Sequence, residues 1–231
     1  MSLYTVSGDE VVLVGQNDQR DIVVPDGITC AIKGDLRVGG HWGATLRGHC
    51  LIGQSRVVVD GVNFMGGLEL AGTYLSRFTA CGVSGGDLVT RPGDGVRDPN
   101  ALHPSTNPSA LDFVSLHVGK GVGDVWLQYA ANYNFFGGAF ERWGGVFSIS
   151  NDDNIGPVTF WGTRFEHEQV GKPVHVYGDV QAHRPTIVCA HWTIDAEAPL
   201  GVQLVNPTYI DGARLVDHRP RVRRFSFLGR R

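Results

Sequence analysis

Lysine is scarce in this sequence, and several features that would assign a function directly are missing. The chain has three lysines against 17 arginines among 231 residues, and its net charge is -3. Because nucleic-acid-binding domains carry a basic surface, this balance argues against a nucleic-acid partner. No apolar run approaches the ~18 residues of a membrane-spanning helix. The first ten residues have neither the basic start nor the apolar stretch of a signal peptide. We therefore expect no membrane span and no secretory leader.

Cysteine is also scarce, and its spacing matches neither a zinc pattern nor a dense disulfide framework. We interpret the four cysteines as thiols of an apolar core, with Cys30 and Cys50 at equivalent positions of successive coils; a disulfide or a metal site is the alternative. The sequence lacks a Gly-x-Ser-x-Gly elbow and a phosphate-binding loop, so serine hydrolases, kinases and dinucleotide enzymes have no support. No metal site is predicted. The full set of cysteines is Cys30, Cys50, Cys81 and Cys189.

Glycine, in contrast, is abundant, with 32 residues, about twice the usual ~7%. Short apolar runs lie between the glycines, and two of them nearly repeat. Residues 55–62 resemble residues 76–83 at an offset of 21, and residues 30–32 resemble residues 50–52 at an offset of 20. A period near 20 that is filled with short strands is typical of stacked coils. We predict an all-β chain wound as a parallel β-helix. A β-sandwich or jelly roll, which also uses short strands and Gly/Pro turns, is the alternative.

The regularity of the pattern divides the chain into three parts. Residues 1–21 are interpreted as an N-terminal cap and residues 22–218 as the β-helix domain. Four prolines within residues 90–110 cannot join a sheet ladder, so we expect a loop that leaves the stack there. Residues 219–231 form an arginine-rich tail, which is interpreted as solvated or as paired with a partner protein.

Four carboxylates form the candidate catalytic set. At an offset of 29, residues 165–168 resemble residues 194–197, which would place Glu166 above Asp195 and Glu168 above Glu197 at the ~4.8 Å spacing of neighbouring strands. Such stacked acids repel one another unless something neutralises them. Three interpretations stay open: a solvated acidic face, a bound cation such as calcium, or a proton-sharing pair of the kind that glycosidases use. Apart from this possible Ca²⁺, no cofactor is predicted.

Aromatic residues are concentrated between residues 126 and 192. Strand alternation points Phe160 into the core and Trp161 outward. Outward aromatic side chains stack on sugar rings, bury against another subunit, or lie under a loop, and the sequence leaves these three roles open. The candidate carbohydrate-binding or interface residues are Trp126, Tyr129, Trp143, Trp161 and Trp192.

Two segments carry a resemblance to a known class. Residues 57–64, Val-Val-Val-Asp-Gly-Val-Asn-Phe, and residues 158–165, Val-Thr-Phe-Trp-Gly-Thr-Arg-Phe, resemble the strand, glycine turn and aromatic coils of the pectate-lyase-like right-handed β-helices. Among these, the chain looks most like the single-stranded β-helices of bacteriophage tailspikes, tail fibres and minor tail proteins. The calcium-binding aspartates and the catalytic arginine of pectate lyases have no counterpart here, so lyase activity is not implied.

The resemblance implies a structural or receptor-binding virion component made in the host cytoplasm. It further implies a homotrimer that contacts other tail proteins and host cell-surface polysaccharide. The alternative hypothesis is a polysaccharide hydrolase or lyase that uses the outward carboxylates. We favour the non-catalytic hypothesis, because the sequence has no specific catalytic motif.

Overall fold

Parallel strands account for the whole regular structure of the chain. The computed structural model describes residues 3–15, 17–35, 43–94, 106–119, 121–149, 156–199 and 201–220. Within these ranges the chain forms 27 strands and no helix. Every strand pairing is parallel, and the strands form three sheets wound in about eight turns. The predicted parallel β-helix is confirmed. The β-sandwich alternative is wrong, since its sheets are antiparallel.

Each turn of the chain contributes one strand to each sheet in a fixed order. Sheet A contains β1 (Leu3–Thr5), β3 (Asp21–Val24), β6 (Cys50–Ile52), β9 (Leu68–Ala71), β12 (Gly86–Arg91), β15 (Val122–Leu127), β18 (Phe147–Ile149), β21 (Pro173–Val176), β24 (His191–Ile194) and β27 (Arg214–Asp217). Sheet B contains β2 (Glu10–Leu13), β4 (Thr29–Gly34), β7 (Arg56–Asp60), β10 (Tyr74–Thr79), β13 (Ser109–Val114), β16 (Ala131–Phe136), β19 (Val158–Trp161), β22 (Val180–His183) and β25 (Gln203–Val205). Sheet C contains β5 (Ala44–Leu46), β8 (Val62–Phe64), β11 (Gly82–Val83), β14 (His117–Val118), β17 (Ala139–Glu141), β20 (Arg164–Glu166), β23 (Thr186–Val188) and β26 (Thr208–Ile210).

The core lies inside the coil and consists of aligned columns of apolar side chains. Along each strand alternate residues point inward, as the pleat requires. In sheet B four phenylalanines follow one another in register, and their ring centroids are 5.0, 4.5 and 4.8 Å apart. All four rings are at most 1% exposed. Each ring therefore packs on the ring of the next coil. The residues are Phe78, Phe113, Phe135 and Phe160.

The repeat offsets near 20 do not describe the register of the coils. Val59 aligns with Phe78, so these neighbouring coils are 19 residues apart rather than 21. Cys30 lies in sheet B beside Val57, whereas Cys50 lies in sheet A beside Leu68. The predicted equivalence of the two cysteines is therefore wrong, because similar short apolar runs recur on different sheets.

The burial of the cysteines, in contrast, is largely as predicted. All four thiols are free, and Cys30, Cys50 and Cys81 are buried in the core. Cys189 is only half-buried. Burial raises the pKa of the Cys81 thiol to about 12, since a thiolate would be unsolvated there.

The offset of 29 is also wrong. Phe160 aligns with Ala182, and Phe165 aligns with Ile187, both at 22 residues. Turns of different length separate the strands, so the coils do not share one period. Resemblance between short Val/Thr/Phe runs reflects their common role in the core and does not reveal which residues are neighbours.

The segments outside the regular coils are described only in part. Residues 3–15 of the predicted cap contribute β1 and β2, which pair with β3 and β4. Strands β12 and β13 extend into both ends of the predicted loop at 90–110, and residues 95–105 lie outside the described part. Of the arginine-rich tail, residues 221–231 lie outside it as well. No helix in the described ranges is long and apolar enough to cross a membrane.

Candidate functional site

The outer face of sheet B carries a continuous column of apolar and aromatic side chains. Its members occupy equivalent positions on five successive strands, from β13 to β25. Neighbours in the column are separated by the ~4.8 Å spacing of the strands. We call this set the aromatic column, and it consists of Val114, Phe136, Trp161, His183 and Val205.

The centre of the aromatic column is both ordered by stacking and open to solvent. The indole of Trp161 and the imidazole of His183 stack with centroids 4.0 Å apart and an interplanar angle of 8°. Trp161 is nevertheless 46% exposed and Phe136 is 40% exposed. The preceding residue Phe160 is fully buried, so the predicted alternation at residues 160 and 161 is confirmed. Two large aromatic side chains thus remain on the surface, which is the arrangement that binding sites use.

A second column of polar side chains runs beside the aromatic column, two residues earlier on each strand. The amide of Asn134 donates a hydrogen bond to Asp112 Oδ1 over 3.1 Å. Thr159 is 8% exposed, whereas Gln203 is exposed. We call this set the polar column, and it consists of Asp112, Asn134, Thr159, Gln181 and Gln203.

Formal charge on this face is confined to the coils nearer the N-terminus. Glu10 and Lys33 form an ion pair of 2.6 Å there, and Arg77 lies 4.0 Å from Asp112. From β16 to β25 both columns contain only amide, hydroxyl, imidazole and apolar side chains. This half of sheet B can therefore offer hydrogen bonds and flat apolar contact together, with little net charge.

The other predicted aromatic residues are dispersed over the molecule. Trp126 lies on the outer face of sheet A and is 38% exposed. Tyr129 is half-buried in the turn between β15 and β16, with a φ of 52°. Trp143 and Trp192 are 1% and 0% exposed, so their assignment to a surface contact is wrong. Both fill the wide part of the core, where large rings occupy volume that smaller residues leave empty.

Two members of the aromatic column were missed by sequence reasoning. Alternation along β16 could have identified Phe136, because its neighbour Phe135 points inward. His183 could not have been found in this way, since its place beside Trp161 depends on a coil length of 22 residues that no motif indicates.

The four candidate carboxylates do not form the predicted pairs. Glu166 lies on sheet C and aligns with Val188 in the next coil, whereas Asp195 follows β24 of sheet A. Asp195 Oδ1 accepts a hydrogen bond of 2.9 Å from the backbone amide of Glu197, as in a turn. The stacking of Glu166 above Asp195, and by the same offset of Glu168 above Glu197, is therefore wrong.

Glu166 has a different acidic neighbour, Glu141, which aligns with it in the preceding coil. Each of these carboxylates has a cationic or titratable partner. Glu166 forms an ion pair with Arg164, and Glu141 lies 3.6 Å from His117 Nε2. Glu168 lies 3.8 Å from Arg142. In the described residues no group of three or more His, Cys, Asp or Glu side chains is placed to hold a metal ion.

A surface cavity of about 440 Å³ lies on another part of the molecule, near the turn that enters β6. Arg20 and Arg47 contribute to its wall. The Arg20 guanidinium donates to Asp18 over 2.8 Å, and this contact holds the pKa of Asp18 below its usual range. Arg47 donates to Asn17 over 2.6 Å. The cationic groups of this cavity thus already have partners within the chain.

The three parallel sheets and their stacked apolar columns place the protein among the parallel β-helices. Comparison with protein-family models, with curated proteins and with solved structures found no match. A β-helix serves many functions, so the function of this chain has to be argued from its own surface.

Proposed function

We propose that this protein binds carbohydrate, without cleaving it, through the aromatic and polar columns of sheet B. The observation that carries the proposal is the exposed Phe136 and Trp161 pair beside a column of amide and hydroxyl side chains. A sugar ring has C–H groups that pack on aromatic surface and hydroxyls that pair with amides. Both requirements are met within a few ångströms on this face.

The setting that we propose is a bacteriophage tail, in which the protein acts as a receptor-binding or structural component. The support for this setting is the resemblance of residues 57–64 and 158–165 to the coils of tailspikes, fibres and minor tail proteins. In that setting the ligand is a host cell-surface polysaccharide and the protein is a homotrimer. No cofactor takes part in this binding function.

Glycan binding is tested with a panel of soluble polysaccharides and three forms of the protein. The wild type is expected to bind at least one of them. Trp161→Ala weakens that binding by about tenfold or more, as loss of a central aromatic contact does. Trp126→Ala is the matched control, because it removes a similarly exposed tryptophan from sheet A and leaves binding unchanged. Equal affinities of all three forms would refute the proposal.

The same variants separate a glycan site from a subunit interface. Light scattering gives the molar mass of each form, and the chain mass is 25.0 kDa. If sheet B binds glycan, Trp161→Ala retains the mass of the wild type. A lower mass of Trp161→Ala at equal protein concentration would instead assign the aromatic column to contact between subunits.

Cleavage of polysaccharide is a second candidate function, and the alignment of Glu141 with Glu166 favours it. Retaining and inverting glycosidases both need two carboxyl groups on one face. The test is release of new reducing ends from any polysaccharide that the protein binds. Glu166→Gln abolishes such release if Glu166 is catalytic. If the protein only binds, the wild type releases none, and Glu166→Gln folds and binds like the wild type.

A further inference from the structure

The C-terminal end of the β-helix exposes the interior of its core. Leu204, Tyr209 and Leu215 continue the three inward columns of sheets B, C and A. They align with Ala182, Ile187 and Trp192 of the preceding coil, and those three side chains are fully buried. Tyr209 and Leu215 are nevertheless each 39% exposed, and Leu204 is only partly buried.

The other end of the β-helix differs from it. In the first coil Val6, Val11 and Leu13 are 1%, 3% and 0% exposed. At the C-terminal end, strands β25, β26 and β27 each have one edge without a partner among the described strands. Open edges over exposed core side chains favour the addition of a further strand. The asymmetry shows that one end of the stack is covered and the other still needs a cover.

The path of the last described residues leads across this open end. Strand β27 ends at Asp217, and the amide of His218 donates to Ile194 O over 3.0 Å. The Arg219 guanidinium then donates to Pro199 O over 3.0 Å. Pro199 belongs to the turn that connects β24 to β25 in the preceding coil. The chain therefore runs above the turn from sheet A to sheet B, as each earlier coil does.

The sequence that follows has the composition of a cover for this end. Residues 221–231 include Val222, Phe225, Phe227 and Leu228 among five arginines. Eleven residues reach up to about 36 Å when extended, which is ample to cross one coil. Acidic side chains on the last two turns complement the arginines, and they are Asp195, Glu197, Asp211 and Asp217.

We propose that residues 221–231 dock on the C-terminal end of the β-helix and cover Leu204, Tyr209 and Leu215. The apolar residues of the segment pack on the exposed core, and its arginines pair with the acids of the last turns. The segment is already attached beside its site, so docking within the chain has the advantage of a high effective concentration over association with a second copy.

The experiment compares the full chain with a chain that stops after Pro220. Hydrogen exchange of the amides in residues 203–217, thermal unfolding and light scattering are measured on both. We expect the shorter chain to exchange faster in this region and to unfold about 5 °C lower. Both chains remain monomeric or keep the same larger mass at low concentration. Equal exchange and equal unfolding temperatures in the two chains would overturn the proposal.

Two variants of the full chain show whether apolar packing carries the effect. Phe225→Ser combined with Phe227→Ser is expected to behave like the shortened chain. Arg230→Ser combined with Arg231→Ser changes the same number of residues and stays close to the wild type. If protection of residues 203–217 in the full chain instead rises with protein concentration together with molar mass, the occupant of this end is a second copy, and the proposal is wrong.

Discussion

The rings of Phe113 and Phe135 stack with centroids 4.5 Å apart and an interplanar angle of 8°. Phe135→Ala interrupts this column in the middle of the β-helix, and we expect it to lower the free energy of unfolding by about 3–5 kcal/mol. Phe136→Ala, one residue later, removes a side chain that is 40% exposed and is expected to cost less than about 1 kcal/mol. Chemical denaturation measures both values. Similar losses for the two variants would contradict the orientation of β16.

Close packing of backbone at the end of β4 gives a second prediction. A Cβ atom on Gly34 would lie 2.0 Å from the carbonyl oxygen of Gly61, so a methyl group there displaces one coil from the next. Gly34→Ala is expected to destabilise the fold by about 1–3 kcal/mol. Gly8 has nothing within 4 Å of its added Cβ, which makes Gly8→Ala the control. An unfolding midpoint that is the same for both variants would show that the coils are not packed as described.

Strand alternation is the part of this structure that the sequence predicts well. Phe160 and Trp161 were assigned to the inner and outer faces from two adjacent residues alone, because the pleat fixes this relation locally. The relation of Glu166 to Asp195 depends instead on the lengths of the intervening turns. Residues 167–172 and 195–202 form turns of different length, so no constant offset connects the coils. Register, and with it the aromatic column, could therefore not be predicted from the sequence.

Burial of the thiols predicts selective chemistry of the four cysteines. Cys30, Cys50 and Cys81 are enclosed by the coil, whereas Cys189 is half-buried at a turn after β23. A water-soluble disulfide reagent is expected to titrate one thiol in the native protein and four after denaturation. Cys189→Ala reduces the native count to zero. Rapid reaction of three or four thiols in the folded wild type would contradict a sealed core.

Stability at alkaline pH follows from the thiols and the phenol that the core encloses. Burial raises the pKa of Cys81 from 9.0 to about 12 and also raises the pKa values of Cys50 and Tyr133. The folded state thus keeps protons that the unfolded chain releases. This contribution is complete below pH 9, and it is lost as the pH rises from 9 to about 12. Each such group contributes a slope of about 1.4 kcal/mol per pH unit within its window.

The test is the free energy of unfolding measured from pH 7 to pH 11 for the wild type and Cys81→Ala. At pH 7 every thiol is protonated in both states, so the difference there gives the packing effect of the substitution alone. Above pH 9 the wild type is expected to lose stability more steeply than the variant, because one proton fewer is retained on folding of the variant. Parallel curves over the whole range would mean that Cys81 ionises as readily in the folded chain as in the unfolded one, which a fully buried thiol cannot do.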